Sequence, residues 1–145
     1  MAESLREKYQ LSITHYHAGL SKGDRERVQN DWAINKVQII VATIAFGMGI
    51  DKADVRFVIH NSLPQSLEGY YQETGRAGRD GDESMCILFY AFGDRHKIEY
   101  LIDKGEGSHE QKQRQKDYLK QVIQYCENKF DCRRQQLLSV YNFLF

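Results

Sequence analysis

The sequence predicts an α/β fold, a mostly parallel sheet with flanking helices, followed by a C-terminal helical extension. Three observations predict it. Short apolar runs recur at residues 37–43, 55–60 and 85–91, as expected for strands covered on both faces. With a first strand at 12–17, segments of helical apolar spacing lie before 37–43 and between 55–60 and 85–91, so the order reads strand, helix, strand, strand, helix, strand. That alternation supplies the crossover helices that parallel strands need. After Phe92 the strand pattern stops and helical periodicity takes over.

Residues 12–17 read as a short strand. Ser21 is placed to cap a helix running to about Ala33, with Val28 and Trp32 on its inner face. The run 37–43 centres on Ile39, Ile40 and Val41, and 55–60 is a second run of the same kind. A helix is expected from Ser66. If it reaches Gly78, Leu67, Tyr70, Tyr71 and Thr74 form one stripe, and Gln72, Arg76 and Arg79 project from the opposite side. Residues 85–91 form the last strand. Residues 94–104 read as a helix with Ile98, Leu101 and Ile102 at i, i+3, i+4, broken by Gly105-Glu106-Gly107. Ser108 and Gln111 have capping-box spacing. The long helix they open carries Tyr118, Leu119, Val122, Ile123 and Cys126 on its inner stripe. Asp131 is placed to cap a last helix that is still strongly apolar at Leu144 and Phe145, as expected of a truncated unit with a surface left to cover. The boundary is expected at Phe92, with an α/β lobe over 1–92 and the helical extension over 93–145.

A chain of 145 residues is expected to form one domain with a sizeable core. Twenty basic and twenty acidic residues leave no net charge, so no overall field attracts nucleic acid and any such contact comes from local patches. No apolar run approaches the length of a membrane span. Residues 1–10 are polar and charged, unlike a secretory signal. Three cysteines, Cys86, Cys126 and Cys132, are too few and too odd in number for a disulfide framework and fit a reducing compartment. Cys86 in a strand and Cys126 on an inner stripe read as core.

The most informative segment is Tyr70-Tyr71-Gln72-Glu73-Thr74-Gly75-Arg76-Ala77-Gly78-Arg79-Asp80-Gly81. Two arginines stand three positions apart, each behind a glycine that removes bulk. Paired guanidinium groups suit a transferring phosphoryl group, being permanently charged and carrying a planar fork of donors. A solvated helix face would show the same residue types. Gly47 and Gly49, just before Asp51, fit either a turn needing positive φ or a phosphate loop. Ligands of parallel sheets bind beyond the carboxyl ends of strands. The loops 44–51 and 61–65 leave from such ends, so the chemistry is expected on that edge.

The segment from Tyr70 to Gly81 resembles the last conserved motif of superfamily 2 helicases, in the form found in RecQ DNA helicases. Val41-Ala42-Thr43-Ile44-Ala45-Phe46-Gly47-Met48-Gly49-Ile50-Asp51-Lys52 resembles the preceding motif, and Val55-Arg56-Phe57-Val58-Ile59-His60 fits between them. The likeness runs from Tyr16-His17-Ala18-Gly19 to Cys132-Arg133-Arg134 and is similar to the Bloom-syndrome-type branch. It implies that 1–92 is the second, RecA-like motor lobe of an ATP-dependent 3′–5′ DNA helicase, and that 93–145 opens a zinc-binding region. By the same resemblance Arg79 is the arginine finger at the γ-phosphate and Arg76 a second phosphate or interlobe contact. Gln72 couples the nucleotide to the cleft, and Gly47, Gly49 and Asp51 form a nucleotide-facing loop. Thr43 and His17 are implied DNA-backbone contacts; the alternatives are a β-branched strand residue and a satisfied loop histidine. Cys132 matches the first of four zinc ligands. A structural zinc site needs all four, so zinc is expected only in a longer protein. The implied cofactors are ATP and Mg2+, held mainly by a first lobe. The implied partners are single-stranded or forked DNA and that first RecA-like lobe, with no membrane. The implied setting is DNA repair and recombination in the nucleus.

The sequence contains no Gly-x-x-x-x-Gly-Lys-Ser/Thr and no Asp-Glu-x-His-type carboxylate pair, both of which such motors use. The chain alone is therefore expected to be inactive. The alternative reading is a non-catalytic DNA- or protein-binding fragment of a truncated helicase. An RNA-unwinding relative is disfavoured by the form of the loop at 45–52.

Overall fold

The computed structural model describes residues 2–46 and 52–140. The chain divides into two compact units, Met1–Lys52 and Ala53–Phe145.

The first unit holds α1 (Ala2–Tyr9), β1 (Ile13–Tyr16), α2 (Lys22–Ala33) and β2 (Ile39–Ala42). β1 and β2 pair in parallel, with Ile13 opposite Ile39 and Tyr16 opposite Ala42. α2 is the crossover between them. Its start is set by Ser21, whose Oγ accepts the Asp24 N–H at 3.1 Å, satisfying one of the donors that a helix start leaves open. Ile13, Tyr16 and Val28 are buried. The helix α1 was not read from the sequence. Its signal is weak: Ala2 is its one buried residue. It is tied to β1 by Arg6, whose Nε donates to the Ile13 carbonyl at 3.0 Å.

The second unit holds β3 (Phe57–His60), α3 (Leu67–Thr74), β4 (Met85–Leu88), α4 (Asp94–Lys104), α5 (His109–Glu127) and α6 (Arg133–Ser139). β3 and β4 are parallel, with Phe57 opposite Met85 and His60 opposite Leu88, and α3 crosses between them. Ser66 Oγ accepts the Gly69 N–H at 3.1 Å and starts α3. The capping box at α5 is complete: Gln111 N–H donates to Ser108 Oγ at 3.2 Å, and Ser108 N–H donates to Gln111 Oε1 at 2.8 Å. The core joins Leu63, Leu67 and Tyr70 to Leu119, Val122, Ile123 and Tyr125 of α5. Tyr125 lies outside the expected stripe because it meets the Tyr70 ring, centroid to centroid at 5.6 Å. The described residues include no helix long and apolar enough to cross a membrane.

Three expectations are corrected. The strands are not covered on both faces. In β3 burial alternates: Val58 and His60, on the α3 side, are half-buried, whereas Phe57 and Ile59 are exposed, at 62% and 56%. Cys86 is exposed rather than core, at the edge of the pair, where its Sγ donates to the Thr74 carbonyl at 3.7 Å. Asp131 does not cap α6. Its carboxylate accepts from Asn128 Nδ2 at 2.6 Å, and Cys132 takes the cap position without a side-chain cap bond.

Truncating Leu119, which is buried at the α3–α5 contact, is expected to cost about 2–5 kcal/mol as Leu119→Ala. Leu101→Ala, on a side chain 64% exposed, is expected to stay within about 0.5 kcal/mol. Urea unfolding of the two variants checks the contrast.

Candidate functional site

The arginine motif begins where α3 ends. Gly75 N–H donates to the Tyr71 carbonyl at 2.9 Å, and Thr74 Oγ1 donates to the Tyr70 carbonyl at 2.9 Å. The chain then turns instead of continuing as helix to Gly78. Ala77 N–H donates to Thr74 O at 3.0 Å and Gly81 N–H to Gly78 O at 3.0 Å. Gly78 N–H reaches Val55 O at 3.0 Å, and Asp80 N–H reaches Ala53 O at 3.3 Å. These last two bonds staple the turn to the segment that leads into β3.

Gly78 has φ +62°, a conformation that side chains disfavour. A Cβ there would also meet Ser84 Oγ at 2.6 Å and the Asp82 carbonyl at 2.9 Å. Gly81 has φ +89° with nothing within 4 Å of an added Cβ. Glycine is thus required at 78 on two counts and at 81 on one.

Two expectations about this motif change. Gln72 is on α3 and exposed, but Arg76 and Arg79 leave the helix and do not share a face with it. Arg76 is half-buried; Arg79 is exposed, with Nε donating to the Gly75 carbonyl at 3.3 Å. The turn also lies at the amino ends of β3 and β4, as its bonds to 53 and 55 require, and not on the carboxyl edge where the 61–65 loop leaves. The reason is topological. A helix that follows one parallel strand carries the chain back to the starting edge, so a motif at its end falls there.

Sequence reasoning missed Arg56, which precedes β3. Its guanidinium holds Asp80, with Nη2 bonded to both carboxylate oxygens, at 2.6 Å to Oδ1. Nη1 donates to Glu83 O at 3.0 Å. The hydrogen bond from Arg56 holds the Asp80 carboxyl below its ordinary value. No local pattern links residues this far apart in the chain. Behind the turn, burial pushes the Tyr70 phenol up to about 12, so α3 rests on a neutral aromatic face.

In the first unit, His17 and Thr43 directly follow β1 and β2. Because Tyr16 pairs with Ala42, the two stand at adjacent carboxyl ends, both exposed. Thr43 N–H donates to Tyr16 O at 3.1 Å, and its Oγ1 accepts from Ala45 N–H at 3.4 Å. His17 Nδ1 accepts from Gly19 N–H at 3.2 Å, and its ring stacks on His15 at 5.5 Å. Gly47, Gly49 and Asp51 lie outside the described residues. Cys132 is an exposed thiol at the start of α6. The described residues contain no group of three or more potential metal ligands.

Residues 1–81 match the family model described as helicase conserved C-terminal domain, and residues 92–143 match the one described as RecQ zinc-binding. The chain belongs to the RecQ helicase family. It is 59% identical to the ATP-dependent DNA helicase hus2/rqh1 of Schizosaccharomyces pombe, over 97% of this chain and 11% of that protein. It is 53% identical to the RecQ-like DNA helicase BLM of Xenopus laevis, over 97% of this chain and 10% of that one. The chain thus spans about a tenth of these curated relatives. Among solved structures it is similar to the yeast DEAD-box splicing factor Prp28, with TM-score 0.59 and 27% identity over 71% of this chain and 23% of that one. It is also similar to the Mycobacterium smegmatis helicase Lhr bound to ssDNA and AMP-PNP, with TM-score 0.56 and 28% identity over 71% of this chain and 14% of that one. This RecQ-family chain therefore has the α/β fold of helicase C-terminal lobes.

In the RecQ turn, Gly81→Ala adds strain without obstruction and is expected to cost about 1–2 kcal/mol. Gly78→Ala adds steric overlap and is expected to exceed it by at least about 1 kcal/mol in urea unfolding. The Asp80 carboxyl is depressed in the folded state, so its stabilisation is present above the unfolded value near 3.8 and is lost as pH falls through the folded value. The unfolding midpoints of the parent and Asp80→Asn should differ at neutral pH and converge in acid.

Proposed function

We propose that this chain is the second, RecA-like motor lobe of an ATP-dependent 3′–5′ DNA helicase, spanning residues 1–92, and that residues 93–145 open its zinc-binding region. The observation that carries the reading is the braced turn at 75–81. Its backbone is bonded to residues 53 and 55, and it displays the exposed Arg79 beside the half-buried Arg76. A fixed turn suits a finger, because a preorganised guanidinium reaches developing charge without reorganising.

ATP with Mg2+ supplies the phosphoanhydride bond whose cleavage drives the motor, held mainly by a first lobe. Arg79 stabilises charge at the γ-phosphate. Arg76 is a second phosphate or interlobe contact, and Gln72 couples nucleotide to cleft. The Gly47, Gly49 and Asp51 assignment to the nucleotide rests on the family motif. Thr43 and His17 are exposed neighbours at two strand ends, which suits contacts to a DNA backbone read without sequence preference. The Lhr structure carries both ssDNA and AMP-PNP, in support of both ligand classes. Cys132 has the chemistry of one zinc ligand, but the described residues do not complete a tetrahedral set, and no step runs through the metal. The working setting is DNA repair and recombination in the nucleus, on single-stranded or forked DNA.

In the complete helicase, Arg79→Ala is expected to lower ATP turnover by about a thousandfold or more while single-stranded DNA binding is retained. The isolated chain is expected to hydrolyse no ATP. Equal loss of hydrolysis and DNA binding in the Arg79 variant would count against the finger role.

A further inference from the structure

The finger reading uses Arg79 but not the half-buried pair at the end of α3. His60, the last residue of β3, has Nε2 at 2.6 Å from Glu73 Oε2 on α3. Its side chain is 11% exposed. Nδ1 is buried without a hydrogen-bond partner among the described residues. A carboxylate oxygen this close needs a donor, so Nε2 carries a hydrogen. The Tyr70 ring sits edge-on to the imidazole at 4.9 Å and fixes its plane.

Glu73 has a second role through its backbone. Its carbonyl accepts the Arg76 N–H at 3.4 Å. The next residue, Thr74, accepts from Ala77 N–H, and Gly75 accepts from Arg79 Nε at 3.3 Å. One residue therefore joins β3, through its side chain, to the first bond of the arginine turn, through its main chain. α3 has eight residues, and Glu73 is in its last turn, where a helix frays most readily.

We propose that His60 is a positioning residue for the arginine turn: by holding the Glu73 carboxylate it fixes the end of α3, and with it the placement of Arg79. This rests on the finger reading of Arg79. His60 acts through Glu73, the side chain its Nε2 holds. A displacement of about 1 Å at a reacting group costs on the order of a hundredfold, so a pair distant from the chemistry has that much leverage over turnover.

The test is a mutant cycle in the complete helicase, measuring ATP turnover, KM for ATP, single-stranded DNA affinity and melting temperature. His60→Ala and Glu73→Ala are each expected to lower turnover by about ten- to a hundredfold, with KM and DNA affinity unchanged. The double variant is expected to match the single ones, since both remove one contact. His60→Gln keeps an N–H donor and is expected to restore most of the turnover. The decisive arm combines His60→Ala with Arg79→Ala. A residue acting through Arg79 adds no further loss of turnover there, whereas a merely structural one lowers it again in proportion to the folded fraction. Full turnover in His60→Ala with only a lower melting temperature would overturn the proposal. Full turnover in Arg79→Ala alone would instead overturn the finger reading.

Discussion

The parallel pairing of β3 with β4 is the constraint on which the arginine motif depends. Phe57 stands opposite Met85, so a chain leaving the carboxyl end of β3 must return to the amino end before β4 begins. α3 begins the return. Its eight residues do not reach the starting edge: Thr74 O still meets Cys86, which stands opposite Val58 within the strand pair. The residues after it complete the return and must reverse at that edge. Gly78 and Gly81, both at positive φ, supply the reversal. The guanidinium groups are thus set by a backbone turn bonded to residues 53 and 55 rather than by a helix face.

The same helix depends on the segment after it. Leu67 and Tyr70 are buried against Leu119, Val122, Ile123 and Tyr125 of α5, a core that runs across Phe92, where the sequence changes character. Arg133 of α6 lies over the Tyr125 ring at 4.8 Å, and its Nη1 donates to the Tyr125 carbonyl at 3.2 Å. Tyr90 donates to Glu127 at 2.6 Å, and that bond raises its phenol to about 12. The zinc-region helices therefore buttress the crossover helix that precedes the motif. Loss of α5 would expose the inner face of α3 and loosen the segment from which the arginines emerge.

What was legible in the sequence is what short-range chemistry decides. The caps at Ser21 and Ser108 each bond within three residues, so a local pattern contains the whole interaction. Parallel strands with crossover helices followed from element order, and the family from the motif strings. What was not legible depends on residues distant in the chain. Tyr125 is buried because Tyr70 meets it. Phe57 and Ile59 share the apolar character of their neighbours, and only the position of α3 decides which face is covered. The end of α3 was misjudged because arginine and alanine are good helix formers. The outcome was set instead by bonds from 78 and 80 to 55 and 53, which no periodicity encodes.

Arg56 and Asp80 show how such a distant contact bears on the motif. Asp80 directly follows Arg79, and its carboxylate is matched from outside the motif. Arg56 takes both its oxygens, and Asp82 N–H donates to Oδ1 at 3.1 Å. With its charge matched from the β3 side, Asp80 closes the turn. The arginine directly before β3 thus braces the turn through a side chain, as Gly78 permits it through the backbone.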